Sequence, residues 1–440
     1  MKLRQAPSSS RAQRGAATLI VVMVLFLVMA LLAAYANRSL VFEQRIAGGY
    51  YKASVAQEVA EGGVDWTLSM LNGPAIDGSC QAVATGGTRF VDKYMQISAA
   101  DRLGTPLVTI NGLVAADCVR GGNSLNCRCP NPDTRTVQPQ TVVAGSLVPS
   151  FGVRVGTDIN PRYGNFQLIS YGCTDSSVDN CYGSAVSADR GRTATALSEQ
   201  IATVGFIAAV PSSPAAPLTV KGTLTTAGSG GLGLHNTDAT TAGTLVMSGG
   251  PAPALIDSRM DTAPGTPPAQ AQVFSYGQLS GMNNTVFFQS YLGIAPARYR
   301  NHPALREVTC PAGGGDCGPA LLAAYNAGKR ILWVEGPLEI SSNVVIGTTA
   351  APVLIIANGA VVMSGPMQIA GMLVALGNLD WTNTGGLAST FTGMILVQGN
   401  MSANGGMDIV YSQDIANHLR NRLGSYARVS GGLQHSNNSD

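Results

Sequence analysis

The 440-residue chain carries 27 basic and 25 acidic side chains for a formal net charge of +2, and only 12% of its residues are charged. That balance, with no basic stripe, argues against phosphate-backbone neutralisation, so nucleic acid is not expected as a partner. Its 53 glycines and low aromatic content suit turn-rich β structure, and the length accommodates two or three compact units.

The chain opens with a basic leader, residues 1–15, which holds Lys2, Arg4, Arg11 and Arg14 and no acid. An apolar stretch without a single charge follows, from Ala16 to Ala36. As a helix it spans roughly 30 Å, the thickness of a bilayer core. The positive-inside rule keeps the leader cytoplasmic and sends everything after Asn37 to the far side. Three readings of this start are open. One is a cleaved secretory signal with Ala34-Tyr35-Ala36 as its small-x-small site, although its core exceeds the usual 7–15 apolar residues or so. Another is a plain single-pass anchor. The last is a leader removed at Gly15, leaving the apolar helix as the new amino terminus.

Beyond the apolar stretch, Val55, Val59, Gly62 or Gly63, Trp66 and Met70 recur at three- and four-residue steps, and Glu58, Glu61 and Asp65 fall on other faces. This is one side of an amphipathic helix continuous with the membrane segment, and Asn72-Gly73-Pro74 ends it. The pairs Gly48-Gly49 and Gly62-Gly63 cost about 1 kcal/mol per glycine against alanine and mark places where the rod is expected to bend or melt.

Three segments, Gln13-Arg14-Gly15-Ala16, Glu43-Gln44-Arg45-Ile46-Ala47-Gly48 and Ala56-Gln57-Glu58-Val59-Ala60-Glu61, together resemble the amino-terminal domain of PilX-type minor pilins, over Gln13 to Asn72. The resemblance implies cleavage by prepilin peptidase between Gly15 and Ala16, with Ala16 the methylated first residue of the mature chain. It also implies residence in the bacterial inner membrane, passage into a pilus at the cell surface, and contact with other minor pilins, the major pilin and a tip adhesin. Most pilins carry Glu at the fifth mature position, whereas here that position is Ile20. A carboxylate in a bilayer helix costs roughly 2.5–3.5 kcal/mol on insertion scales, so it is retained only for a purpose. PilX-type pilins and the K minor pseudopilin of type II secretion are similar in lacking it, and by that likeness the chain is expected at a filament tip or in the complex that primes assembly. A minor pseudopilin of type II secretion is the alternative.

All eight cysteines follow the apolar stretch, and an even count on an exported chain reads as disulfides. Cys173 with Cys181 and Cys310 with Cys317 bracket short turns and read as local staples. Cys80, Cys118, Cys127 and Cys129 leave three pairings open. The Cys127-Arg128-Cys129 spacing is wrong for a zinc knuckle, and neither a metal nor another cofactor is expected.

The expected fold class is α+β: the long helix, a pilin-like antiparallel sheet and a Gly-rich all-β region. Residues 73–210 form the first globule. There, Phe151/Val153/Val155, Phe166/Leu168/Ser170 and the run Thr193 to Val204 alternate as in an antiparallel meander. Packing of that sheet on the rod follows from the resemblance. A Pro-rich linker, residues 211–217, leads to a second region, 218–424. In it, apolar segments beginning at Leu218, Leu332, Leu354, Leu373 and Ile395 each run into a glycine corner. Gly336, Gly359, Gly377 and Gly399 lie about twenty residues apart, near the period of a solenoid turn, and a parallel β-solenoid is expected, against an ordinary sandwich. An insert, 251–329, interrupts the repeat with helix-like stretches at Gln270–Leu292 and Pro319–Ala327. Its apolar set Val286, Phe287, Phe288, Tyr291 and Leu292 is expected to cap the end of the solenoid, against the alternative of an exposed partner-binding patch. Residues 425–440 read as a disordered tail.

Enzyme signatures are lacking: no nucleophile elbow, Walker loop, zincin motif or calcium loop occurs. The histidines His235, His302, His418 and His435 have no acid partner nearby in sequence, and Glu335, Glu339 and Asp380 are isolated. A membrane-anchored β-helix enzyme acting on carbohydrate is a further alternative, but the expectation is a structural protein without catalysis.

Overall fold

The computed structural model describes residues 14–107, 116–121, 124–129, 148–156, 164–176, 178, 181, 196–228, 231–311 and 314–436. One α-helix runs unbroken over Arg14–Leu71, 58 residues and about 87 Å long. The glycine pairs do not interrupt it. A side chain at Gly48, Gly49 or Gly62 would meet open space, and their modest helix cost is outweighed by the continuous ladder around them. The helix closes where expected: the Asn72 side chain turns back to the Leu68 carbonyl (2.9 Å) and the Gly73 amide donates to Met70 (3.0 Å).

A six-stranded antiparallel sheet packs on the carboxyl-terminal half of this rod. Its order is Gly424–Ser436, Leu197–Ala208, Asn165–Cys173, Ser150–Gly156, Ala116–Gly121, Ser124–Arg128. The three alternating segments read from the sequence are its centre, with residues 193–195 outside the described residues. The tail read as disordered is instead its edge strand, described to Ser436. It pairs with Leu197–Ala208 and buries Tyr426 against Phe166 and Phe206. A short Gly-rich segment carries little local strand signal; its partner strand supplies the order.

The rod's buried face is also displaced from the stripe expected. Ala56, Ala60, Gly63, Val64, Thr67 and Leu71 are buried, while Val55, Val59, Trp66 and Met70 flank them half-buried. Backbone approach decides this. A Cβ at Gly172 would run into the Ala56 carbonyl and the Ala60 amide, and one at Gly63 into Ser170 and Phe151. Small residues therefore take the centre of the contact, and Trp66 wedges beside it against Phe90 (5.8 Å) and Phe151 (5.6 Å).

After residue 217 the strands pair in parallel along three sides of a stack. Leu332, Ile355, Leu373, Ile395, Leu218 and Val246 are successive partners in one ladder, and all lie in one core. The first repeat, Leu218–Val220, thus pairs not with the second in sequence but with the last, Thr390–Val397. At the corner, amides and carbonyls link Gly359, Gly377, Gly399, Gly222 and Gly250 in a chain of hydrogen bonds of 2.9–3.0 Å. A Cβ on Gly377 would stand 2.7 Å from the Gly359 carbonyl carbon, so the repeated glycine marks backbone stacked on backbone.

The insert does not simply interrupt this stack, because Met260–Thr262 and Gln272–Val273 extend it at one end. Its apolar set covers a side, not an end. Phe287, Phe288 and Leu292, on the helix Asn284–Leu292, bury against Trp333, Ile356, Val374 and Leu396, with Val286 exposed. Repeats such as Leu332-Trp333-Val334 are apolar at both parities, so the sheet must be covered on both faces. The other end is closed by the helix Gly318–Asn326, whose Leu321 and Ala324 pack with Leu338 and Ile340.

Polar contacts join the end of the rod to both regions: the Asn72 side chain accepts from the Tyr426 amide (2.8 Å) and donates to the Tyr426 carbonyl (2.9 Å) on the edge strand of the sheet, while on the stack side Arg306 donates to the Asn72 carbonyl (2.7 Å) and Ala75 N–H donates to the Ala327 carbonyl (3.1 Å).

Candidate assembly interface

The rod is the element with the least internal support. From Leu19 to Phe42 its large apolar side chains all stand exposed, Leu19 at 62% and Phe26 at 71%. Each forgoes about 1.5–3 kcal/mol while in water, so this surface is built for lipid or for other apolar helices. Among the described residues it is the one helix long and apolar enough to cross a membrane. Ala17, Ala30, Ala33 and Ala34 leave room for close helix approach. Gly15 and Ala16 fall in the first helical turn, and Ile20 is 62% exposed one turn on. Of the leader charges, Arg14 is the first helical residue, and Lys2, Arg4 and Arg11 lie outside the described residues.

The disulfides brace the two globular regions. Cys80 pairs with Cys129 and Cys118 with Cys127, the latter directly opposite one another on adjacent strands. Cys173 pairs with Cys181 and Cys310 with Cys317. The last pair fixes the loop whose Cys317 amide donates to Glu339 (2.8 Å), covering the outer edge of strand Leu338–Ile340. Among the described residues no cysteine is free and no group of three or more His, Cys, Asp or Glu side chains could hold a metal ion.

Folding supplies acid partners that the sequence kept far apart. His235 Nδ1 lies 2.7 Å from Asp261 and Nε2 3.1 Å from Asp408, and Arg259 reaches the same Asp408 carboxylate at 2.7 Å. Gly233 lies beneath them, where any Cβ would displace Asp408. This network crosses the seam where Leu232–Asn236 meets Met407–Val410 and the insert strand Met260–Thr262. Glu335, expected to be isolated, accepts from Trp333 (2.8 Å) and Asn358 (2.7 Å) and pairs with Arg300 (3.2 Å), and these bonds hold its carboxyl below the usual range. His302 is buried, shares a 2.6 Å hydrogen bond with Ser425 and stacks on Tyr299 at 5.4 Å; burial pushes its pKa down to about 4. Sequence spacing could not reveal His235–Asp261, His235–Asp408, Glu335–Asn358 or His302–Ser425, whose members lie 26, 173, 23 and 123 residues apart.

Residues 14–65 match the family model described as PilX N-terminal. No curated protein matches the chain. Among solved structures, the competence-associated pilin ComZ from Thermus thermophilus aligns over 88% of this chain and 97% of its own, at 10% identity and a TM-score of 0.21, a likeness too slight to carry an argument.

Proposed function

From the premise that this rod is a PilX-type amino terminus, we propose that the chain is a minor pilin of a type IV pilus, acting in assembly at or near the filament tip. The observation that carries this reading is the exposed apolar rod: one continuous helix whose upper half is clamped to a sheet and whose lower half has no cover of its own. In this reading prepilin peptidase cuts between Gly15 and Ala16. The mature rod then waits in the inner membrane and leaves it to pack among the helices of other pilins and the major pilin. The three-sided parallel stack is a β-solenoid that is carried outward, and it serves contact and docking without catalysis.

Ile20 supports the tip assignment, because a subunit without the usual carboxylate forgoes the charge contact made with a neighbour's terminal amine. Restoring it by Ile20→Glu tests the assignment. Immunogold labelling of sheared pili is expected to find the native protein at filament ends and the variant moved into the shaft with loss of its tip role. A variant spread along the shaft with tip function intact would count against a dedicated tip position.

A further inference from the structure

Where the rod ends, sheet and stack close around a cavity of about 20 Å³. Four cationic side chains line it. Arg89 stands just before the helix Phe90–Tyr94, Arg306 lies on the strand Leu305–Glu307, and Lys329 and Arg330 follow the helix Gly318–Asn326. They come from three separate stretches of the chain, so no basic run in the sequence announces them. All four are half-buried. Among the described residues Arg306, Lys329 and Arg330 have no ion-pair partner, and Arg89 meets only the exposed Asp92, at 3.8 Å. Carbonyl groups take some of their hydrogen bonds. Arg306 donates to Pro303, Leu305 and Asn72 (2.7–2.8 Å), and Nη1 of Arg330 donates to Tyr325 and Lys329 (2.7 and 3.2 Å). Nζ of Lys329 and Nε and Nη2 of Arg330 have no protein acceptor among the described residues. Burial pulls the Arg306 and Arg330 guanidiniums down from their usual range, as expected of cations drawn out of water without a counter-charge.

Carbonyl dipoles satisfy donors but do not neutralise charge. Like charges gathered away from water are costly unless an opposite charge joins them. A water molecule here would accept hydrogen bonds and leave the charge unbalanced. We propose that this cavity binds one small monovalent anion of the size of chloride. Volume selects the ion: a single water needs about 10–15 Å³ of such space, and a halide is little larger, whereas sulfate or phosphate sets four oxygens about one centre and is too large. Arg89 belongs to the first globule, and Arg306, Lys329 and Arg330 belong to the stack. An anion held among them therefore ties the two regions together at the rod's end, beside the Arg306–Asn72 contact. The inference is independent of the pilin reading.

Thermal melts of the full-length protein in non-ionic detergent test it. Sodium chloride is exchanged for sodium gluconate at fixed ionic strength, with bromide and sulfate run in parallel. Chloride should raise the melting temperature saturably, by about 2–4 °C, the shift expected of one modestly bound ligand, and bromide should match it. Lys329→Gln should lose most of that rise. Arg89→Gln, on a different element, should do the same, so the test holds even where one variant folds poorly. Crystals soaked in bromide should show an anomalous peak between Arg89, Arg306 and Lys329. A melt indifferent to chloride, an equal rise in both variants, or a cavity without bromide would overturn the site. So would a variant-sensitive rise greater with sulfate than with chloride, which would assign the cavity to an oxyanion.

Discussion

The lower rod and the first sheet of the stack are built from equally apolar sequence, yet one is fully exposed and the other fully buried. Leu354, Ile355 and Ile356 are 0% exposed, whereas Leu25, Phe26 and Leu27 are each more than half exposed. The difference is repetition. Each short run in the stack finds copies of itself above and below, and helices cover its outer face. The rod's run has no copy in the chain, so its partners must come from lipid or from other subunits.

The sharpest way to break this contrast is to truncate one aromatic in each region. Phe288→Ala empties a fully buried site and should cost about 3–5 kcal/mol in a denaturant melt, whereas Phe26→Ala should leave the melt unchanged and weaken membrane retention or assembly instead. Equal effects on the melt would mean that the rod is covered from within. Acid is the next largest lever. His302 has a folded pKa near 4, below its unfolded value of 6.5, so the unfolded chain binds the extra proton. Its contribution is complete above about pH 6.5 and is lost as pH falls toward 4, by about 3 kcal/mol. A His302→Gln variant should show a flatter pH profile of stability over that window, and an unchanged profile would refute the assignment. The smallest effect is expected at the seam: Asp408→Asn should cost about 0.5–1 kcal/mol, the network being part-exposed. A larger loss in thermal melts would give the His235–Asp408–Arg259 cluster more than a bracing role.

What could be read from the sequence follows the same division. The apolar stretch and the repeated Gly corner needed only local pattern, and the strands that run into Gly336, Gly359, Gly377 and Gly399 pair in sequence order as Leu332–Ile355–Leu373–Ile395. Features set by a distant partner were not legible. The face of the rod is chosen by Gly172, which lies more than a hundred residues away. Strand Gly424–Ser436 is ordered by Leu197–Ala208, and His235 meets Asp408 only because the first repeat pairs beyond the last.

In the proposed function the exposed rod survives processing as the mature amino terminus. Amino-terminal sequencing of the protein recovered from membranes or pili tests this directly. The account predicts a chain beginning at Ala16, whereas a chain beginning at Asn37 would have lost the apolar segment and would contradict it.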